Sequence, residues 1–306
     1  GGPRCMKYGV TRDYVLGLEG YWANGEPFKL GGKLHKNVAG YDLIRLLVGS
    51  EGTLAVITKI ILKLIPLPPI RVTVLVEFSD YWQAVDILSQ VRGVDVAAAE
   101  FMDERTYRAV CAYRGQAVPQ AAAPAQFLFE LHGFSAVGVE EQLQLLEKLA
   151  FENGAIDVRV GRTPAQREAM WQSRRDISLA LRAQYPAKRS YDIVVPPAQI
   201  TAYLQALYAL ETAHPYFRFV GYGHLGDGNI HVNLLPSQDG LDVEPIEKKI
   251  LTLAVSMGGT ITGEHGVGLT KRAYLPLVLD DTTRTLQRHL KTVFDPRNLL
   301  NPGKAI

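Results

Sequence analysis

The sequence predicts an α+β protein in which helices cover a mostly antiparallel sheet. Three observations carry this. Short apolar segments of strand length alternate with stretches of helical periodicity. The connections between them are short. An Asn-Gly pair between two extended runs marks a hairpin near the start.

The elements follow in order. VLGLEGYW, Asn24-Gly25 and EPFKL read as a β-hairpin, with both central residues expected at positive φ. A glycine-punctuated stretch over 31–52 leads to the strand TLAVITKIILKLI, which Leu67-Pro68-Pro69 closes. Ile70, Val72, Val74, Val76 and Phe78 then alternate with more polar residues, as in a strand with one face in a core. Asp80 caps a helix whose Trp82, Val85, Leu88 and Val91 recur at helical spacing. After it come DVAAAEF, a helix over 104–113, QFLFELHGF, a helix over 140–153, AIDVRVG, a helix over 164–183, YDIVV, a helix over 198–213, the strand NIHVNLL and a helix over 246–257. AVPQAAAPAQ, residues 117–126, reads as a mobile surface loop.

Composition narrows the function classes. The 306 residues are 47% hydrophobic and 21% charged, ordinary for a globular chain able to bury a core. A formal charge of +2 gives no reason to expect nucleic acid as a partner. The two cysteines, Cys5 and Cys111, are far apart and form no CxxC, so a disulfide framework or thiolate metal site is not expected and a reducing, cytoplasmic setting fits. The most apolar stretch, 54–67, is interrupted by Lys59 and Lys63 and ended by prolines, which suits a strand and not a membrane span. No signal peptide is read, and the opening Gly1-Gly2-Pro3, without a methionine, reads as a cut through a larger protein.

Four segments carry candidate chemistry. In GYGHLGDGNIHVN, residues 221–233, period-two geometry places Asn229, His231 and Asn233 on one strand face, and His224 at the start of the turn can converge on His231. Two histidines hydrogen-bonded within a tight turn would account for the same pattern. The second segment, GGTITGEHGVG, sets Glu264 and His265 side by side where a helix gives way to glycines. His224, His231 and Glu264 form a His₂-carboxylate set suited to a divalent metal (zinc, manganese or iron), and His265 is left as a separate base. Third, Trp171-Gln172-Ser173-Arg174-Arg175 offers a carboxylate clamp if Arg174 faces inward, with Arg175 solvated and Lys188 a second cation for the same anion. Fourth, KNVAGYD and GSEGTLAVIT make a glycine-rich loop and strand that do not match the GxGxxG dinucleotide pattern.

GGPRCMKYG, KNVAGYDLIRLLVGSEGTLAVIT, GYGHLGDGNIHVNLL, TGEHGVGLTKRAYL and the ending FDPRNLLNPGK occur in this order across the chain. Together they resemble the FAD-linked oxidases of the vanillyl-alcohol-oxidase type, in the branch of the glycolate oxidase flavoprotein subunit, D-lactate dehydrogenase and D-2-hydroxyglutarate dehydrogenase. The resemblance implies that residues 1–68 form the second half of an FAD-binding domain, residues 69–290 a cap that holds the substrate, and residues 291–306 a return to the flavin. It also implies that the N-terminal half of the FAD domain, with the loop that cradles the pyrophosphate, lies outside this sequence. By motif, the resemblance places Asn37, Gly40, Glu51, Gly52, the Ile57 backbone and Asn301 near FAD. It puts the divalent metal on His224, His231 and Glu264, makes His265 the base, and turns Arg174, Lys188 and Asn233 toward the substrate. Ala55 departs from the glycine usual after GSEGTL. The implied activity is oxidation of a small D-2-hydroxy acid, with glycolate or D-lactate favoured, by hydride transfer to flavin. Electrons would leave to a partner subunit or a quinone pool, in the cytoplasm or at the inner face of the membrane. A non-catalytic subunit of a flavoprotein complex and a flavin-free metal hydrolase are the alternatives.

Overall fold

Asn24-Gly25 turns the chain as expected, by a different geometry. In the computed structural model, which describes residues 1–117, 122–238 and 240–306, only Gly25 of the pair has positive φ (86°). The Trp22 carbonyl accepts from the Gly25 amide at 2.9 Å, and Asn24 Oδ1 accepts from the Glu26 amide at 3.0 Å. The asparagine acts through its side chain, so it has no need of the left-handed region.

The chain divides into two compact units. One comprises Gly1, Gly9–Pro66 and Ile261–Ile306, and the other Gly2–Tyr8 and Leu67–Thr260. Residues 261–290, grouped by sequence with the middle region, thus belong to the first unit. Long-range contacts account for this. Glu51 accepts from the amides of Val267 and Gly268, and Phe294 packs on Trp22 with ring centroids 5.6 Å apart.

The first unit holds an antiparallel sheet in the order β2-β1-β3, formed by β1 (Val15–Tyr21), β2 (Pro27–Gly31) and β3 (Val56–Leu62). Leu18, Phe28, Leu47, Leu54 and Ala55 form its core, with Trp22 and Phe294 against it. The short helix α2 (Leu43–Leu47) contributes Leu47. Three α-helices among the described residues escape the sequence reading: α1 (Cys5–Tyr8), which lies in the second unit, α2, and the terminal helix, labelled α9 below. α1 is held by Arg4 and Lys7, which pair with Glu130 and Asp95, and by Tyr8, which bonds His132.

The second unit is built on a seven-stranded sheet in the order β7-β4-β6-β5-β9-β10-β8, antiparallel at each pairing. Its strands are β4 (Ile70–Phe78), β5 (Val96–Asp103), β6 (Ala125–Gly133), β7 (Ala155–Gly161), β8 (Arg189–Val194), β9 (Phe217–Gly223) and β10 (Asn229–Pro236). Its helices are α3 (Tyr81–Gln90), α4 (Glu104–Tyr113), α5 (Ala136–Glu152), α6 (Pro164–Gln184), α7 (Ile200–Ala213) and α8 (Glu244–Ser256), while α9 (Asp281–Phe294) belongs to the first unit. Asp80 caps α3 as expected, accepting from the amides of Trp82 and Gln83. β9 is not anticipated, because Gly221 and Gly223 lower its strand propensity; pairing with β10 overrides that preference. Of the loop expected over 117–126, residues 118–121 lie outside the described residues, and Ala125 and Gln126 already belong to β6.

Trp171 of α6 packs on Ala98 and Leu128, and Ile177, Ala180 and Leu181 pack on Met102, Val220, Tyr222 and Leu235. α6 therefore covers the sheet face that carries alternate residues of β5, among them Ala98, Glu100 and Met102. No helix among the described residues is long and apolar enough to cross a membrane.

Candidate substrate and metal site

The hairpin of β9 and β10 positions the two histidines. His224 follows β9 directly, a 3-10 turn spans Leu225–Asp227, and Gly228 at φ 87° leads into β10. A Cβ at Gly228 would stand 2.2 Å from the Val195 carbonyl oxygen, and one at Gly223 would stand 2.5 Å from that of Asn229. Glycine at both positions lets the strands close tightly, so the rings meet. His224 and His231 are buried, and their centroids lie 5.2 Å apart with planes at 84°.

Each imidazole has a buried carboxylate beside it. His224 Nδ1 bonds Glu100 Oε1 at 2.6 Å. His231 pairs across the strands with Asp192, and its Nδ1 lies 3.8 Å from Asp192 Oδ1. That oxygen accepts from Asn229 Nδ2 at 2.7 Å. The Glu100 carboxylate behind His224 fixes which ring nitrogen carries the proton and turns the other outward, the usual support of a metal-ligating histidine, whereas at 3.8 Å the Asp192 oxygen is too far from His231 Nδ1 to do the same. The donor set fits a borderline divalent cation on that ground.

Arg174 faces inward because it shares the buried stripe of α6 with Trp171, Ile177 and Leu181. Thr163 and Gln166 fix the start of this helix through a capping box, with Pro164 in the first turn. Arg174 Nε donates to Glu100 Oε2 at 2.6 Å, and the guanidinium lies over the Tyr222 ring, 4.9 Å from its centroid. One carboxylate oxygen therefore serves the histidine and the other the arginine. Arg175 turns outward and pairs with Glu168 and Gln172.

Asn233 is fully buried and its amide is committed. Nδ2 donates to the carbonyls of His231 and Val220, while Oδ1 accepts from Lys188 Nζ at 3.1 Å and Ser190 Oγ at 2.7 Å. Burial, followed by the nearby Arg182 charge, lowers the pKa of Lys188. Asn233 can thus act on a ligand through the lysine that it holds.

The residues expected near a flavin lie in the first unit. Glu51 sits at φ 53°, beside Gly49 and Gly52 at positive φ. Its carboxylate accepts from the amides of Val267 at 2.7 Å and Gly268 at 2.8 Å, so it clamps the loop that carries Glu264 and His265. The Glu51 carbonyl accepts from Asn301 Nδ2 at 2.7 Å. Asn37 is exposed and its Oδ1 accepts from the Ala39 amide, closing the turn before Gly40. Ile57 pairs with Gly20 in the sheet. Glu264 is partly buried and His265 exposed. Lys291 ties Asp295 to the Thr53 and Leu300 carbonyls. Burial alone would raise the Asp295 carboxyl, but Lys291 and the amides of Leu300 and Leu299 outweigh it and hold the pKa at about 2.

The sequence reading missed Glu100 and Asp192. The signal is a single acid in the apolar strands VAAAEFM and YDIVV, where an unpartnered carboxylate would be costly.

Residues 67–305 match the family model described as "FAD linked oxidases, C-terminal domain". The chain is 38% identical to the glycolate oxidase subunit GlcD of Bacillus subtilis, covering 99% of this chain and 65% of that protein. It is 36% identical to a D-lactate dehydrogenase of Archaeoglobus fulgidus, covering 100% of this chain and 67% of that one. It thus spans about two thirds of the length of these curated relatives. Among solved structures, 4-ethylphenol oxidase from Gulosibacter chungangensis shares the fold, with a TM-score of 0.67 and 13% identity over 99% of this chain and 69% of the other.

Proposed function

Because the chain belongs to the FAD-linked oxidases, through their C-terminal domain, we propose that it is the substrate-binding part of a flavoprotein that oxidises a small D-2-hydroxy acid to the 2-oxo acid. The observation that carries the reading is the pair of bonds made by Glu100, which joins an imidazole, His224, to a carboxylate-binding side chain, Arg174. A 2-hydroxy acid presents a hydroxyl and a carboxylate on adjacent carbons, and this pairing offers one protein group for each. The relatives named glycolate oxidase subunit and D-lactate dehydrogenase support the small acids as substrates.

In this reading, the Nη groups of Arg174 grip the substrate carboxylate in a fork, and Lys188, held by Asn233 and Ser190, adds a second positive charge. His224 and His231 would hold a divalent metal, with Glu264 as the third ligand assigned by motif. Such an ion, when bound, supplies Lewis acidity toward the hydroxyl. His265 takes the hydroxyl proton as the C2 hydrogen departs with its electron pair. FAD, when bound, supplies the acceptor for that hydride. Glu51, Gly52 and Asn301 shape the loop end of the flavin site, together with Asn37, Gly40 and the Ile57 backbone. A partner subunit or a quinone would take the electrons from the flavin, with the protein in the cytoplasm or at the inner face of the membrane.

The test uses the full-length flavoprotein. Glycolate, D-lactate and D-2-hydroxyglutarate are each added anaerobically while flavin absorbance is followed, and bleaching by one of the small acids is expected. His231→Ala should lose metal and activity together. His265→Ala should keep metal and flavin while turnover falls by roughly 10²–10⁴-fold, the usual worth of a positioned general base. Loss of metal in His265→Ala but not in His231→Ala would exchange the two roles. Turnover unchanged in both would end the reading.

A further inference from the structure

We infer that Glu100 is the positioning residue that sets the substrate-binding arginine and the metal-binding histidine in register. The inference rests on the reading above and adds a residue that no motif assigned. Glu100 is 0% exposed in the middle of β5, beside Leu128 across the sheet. An apolar side chain would suit that strand better, since taking a carboxylate out of water is costly unless its oxygens are bonded. Both are. Oε2 takes the Arg174 Nε proton and Oε1 meets His224 Nδ1, each at 2.6 Å.

Two consequences follow from donor chemistry. A carboxylate accepts and does not donate, so the His224 ring proton resides on Nδ1, and Nε2 is left with its lone pair on the opposite side of the ring. Using Nε of Arg174 also fixes the guanidinium plane. The Nη groups remain for a ligand, and the Tyr222 ring beneath, 4.9 Å from Cζ, limits the swing of that plane. A shift of the Glu100 carboxylate would therefore move the metal ligand and the anion clamp together. A residue that only stabilised the strand would have no such dual effect.

The experiment compares wild type, Glu100→Gln, His224→Ala and His231→Ala. In the ¹⁵N-histidine-labelled chain at about pH 8, above the ordinary histidine range, long-range ¹H–¹⁵N spectra report the tautomer of each ring, with His224→Ala assigning the signal. Wild-type His224 is expected as Nδ1–H, and Glu100→Gln should shift part of the population to Nε2–H. Zn²⁺ titration should show affinity weakened roughly 10–100-fold in Glu100→Gln, the usual cost of losing such a partner. In the full-length flavoprotein the same variant should raise KM for the hydroxy acid by roughly tenfold, as Arg174 loses a bond to a charged group. Wild-type His224 carrying its proton on Nε2 and not on Nδ1 would overturn the inference even if Glu100→Gln did not fold. So would a Glu100→Gln variant with wild-type tautomer, Zn²⁺ affinity and KM. If His231→Ala and His224→Ala instead bind Zn²⁺ as wild type does, the metal assignment fails, and the tautomer and KM still judge Glu100.

Discussion

Replacing Arg174 by lysine keeps the charge and removes the geometry. In the proposed function the guanidinium has two tasks: Nε bonds Glu100 at 2.6 Å, and the Nη groups would take the substrate carboxylate. A lysine has one nitrogen on a flexible stem, and it can satisfy the buried Glu100 or reach the ligand, but not both in the same orientation. A hydrogen bond to a charged group contributes about 1.5–3 kcal/mol, and contact with an aromatic face adds about 0.5–2 kcal/mol. The arginine side chain is only 11% exposed, so solvent replaces little of what is lost. A total of about 2–5 kcal/mol corresponds to a fall in kcat/KM of roughly 30-fold to several thousand-fold. The assay is steady-state oxidation of glycolate and D-lactate by the full-length flavoprotein, with Arg175→Lys as control. Arg175 is 46% exposed in a surface pair with Glu168, and such pairs contribute about 0–1 kcal/mol. Equal losses at the two positions, or a change below about threefold in Arg174→Lys, would refute the assignment of the inward face and its ligand.

Two further expectations concern the first unit. Glu51→Gln should release the loop containing His265, because a neutral amide cannot accept as strongly from both backbone N–H groups; hydrogen exchange at the Val267 and Gly268 amides should quicken and turnover fall, and unchanged protection would show that the clamp is dispensable. Asp295 has its folded pKa lowered from 3.8 to about 2, so its contribution to stability is present above pH 3.8 and is lost as pH falls through about 2. Asp295→Asn should therefore lower the melting temperature at neutral pH, with the gap from wild type closing as the pH approaches 2, and a gap that persists there would refute the ionic account.

The elements themselves were legible in the residues. Period-two alternation marks β4, and helical spacing after Asp80 marks α3, because burial on one face imposes those periods directly on the sequence. The histidine turn with its following strand and the Glu-His loop were legible for a related reason: glycines cluster where backbones must approach closely, as Gly223 and Gly228 do. α9 was not read, although Asp280 caps it and its apolar residues recur at helical spacing. β9 was not, since its glycines hide a strand that only the neighbouring β10 stabilises.

What the sequence determined by itself is therefore local: strand and helix periods, turn positions, and the residue types that can bind a carboxylate or a metal. The tertiary structure decided partnership. That Glu100 of β5 would meet both Arg174 of α6 and His224 after β9 depends on residues 74 and 124 positions away along the chain. The sheet order brings β5 beside β9, and no local periodicity encodes that order. That Asn233 would spend its amide on Lys188, Ser190 and backbone carbonyls, and Glu51 its carboxylate on Val267 and Gly268, likewise depends on long-range packing. Hydrogen-bond partners are set by where distant backbones converge, and a motif names the donor or acceptor without naming its partner.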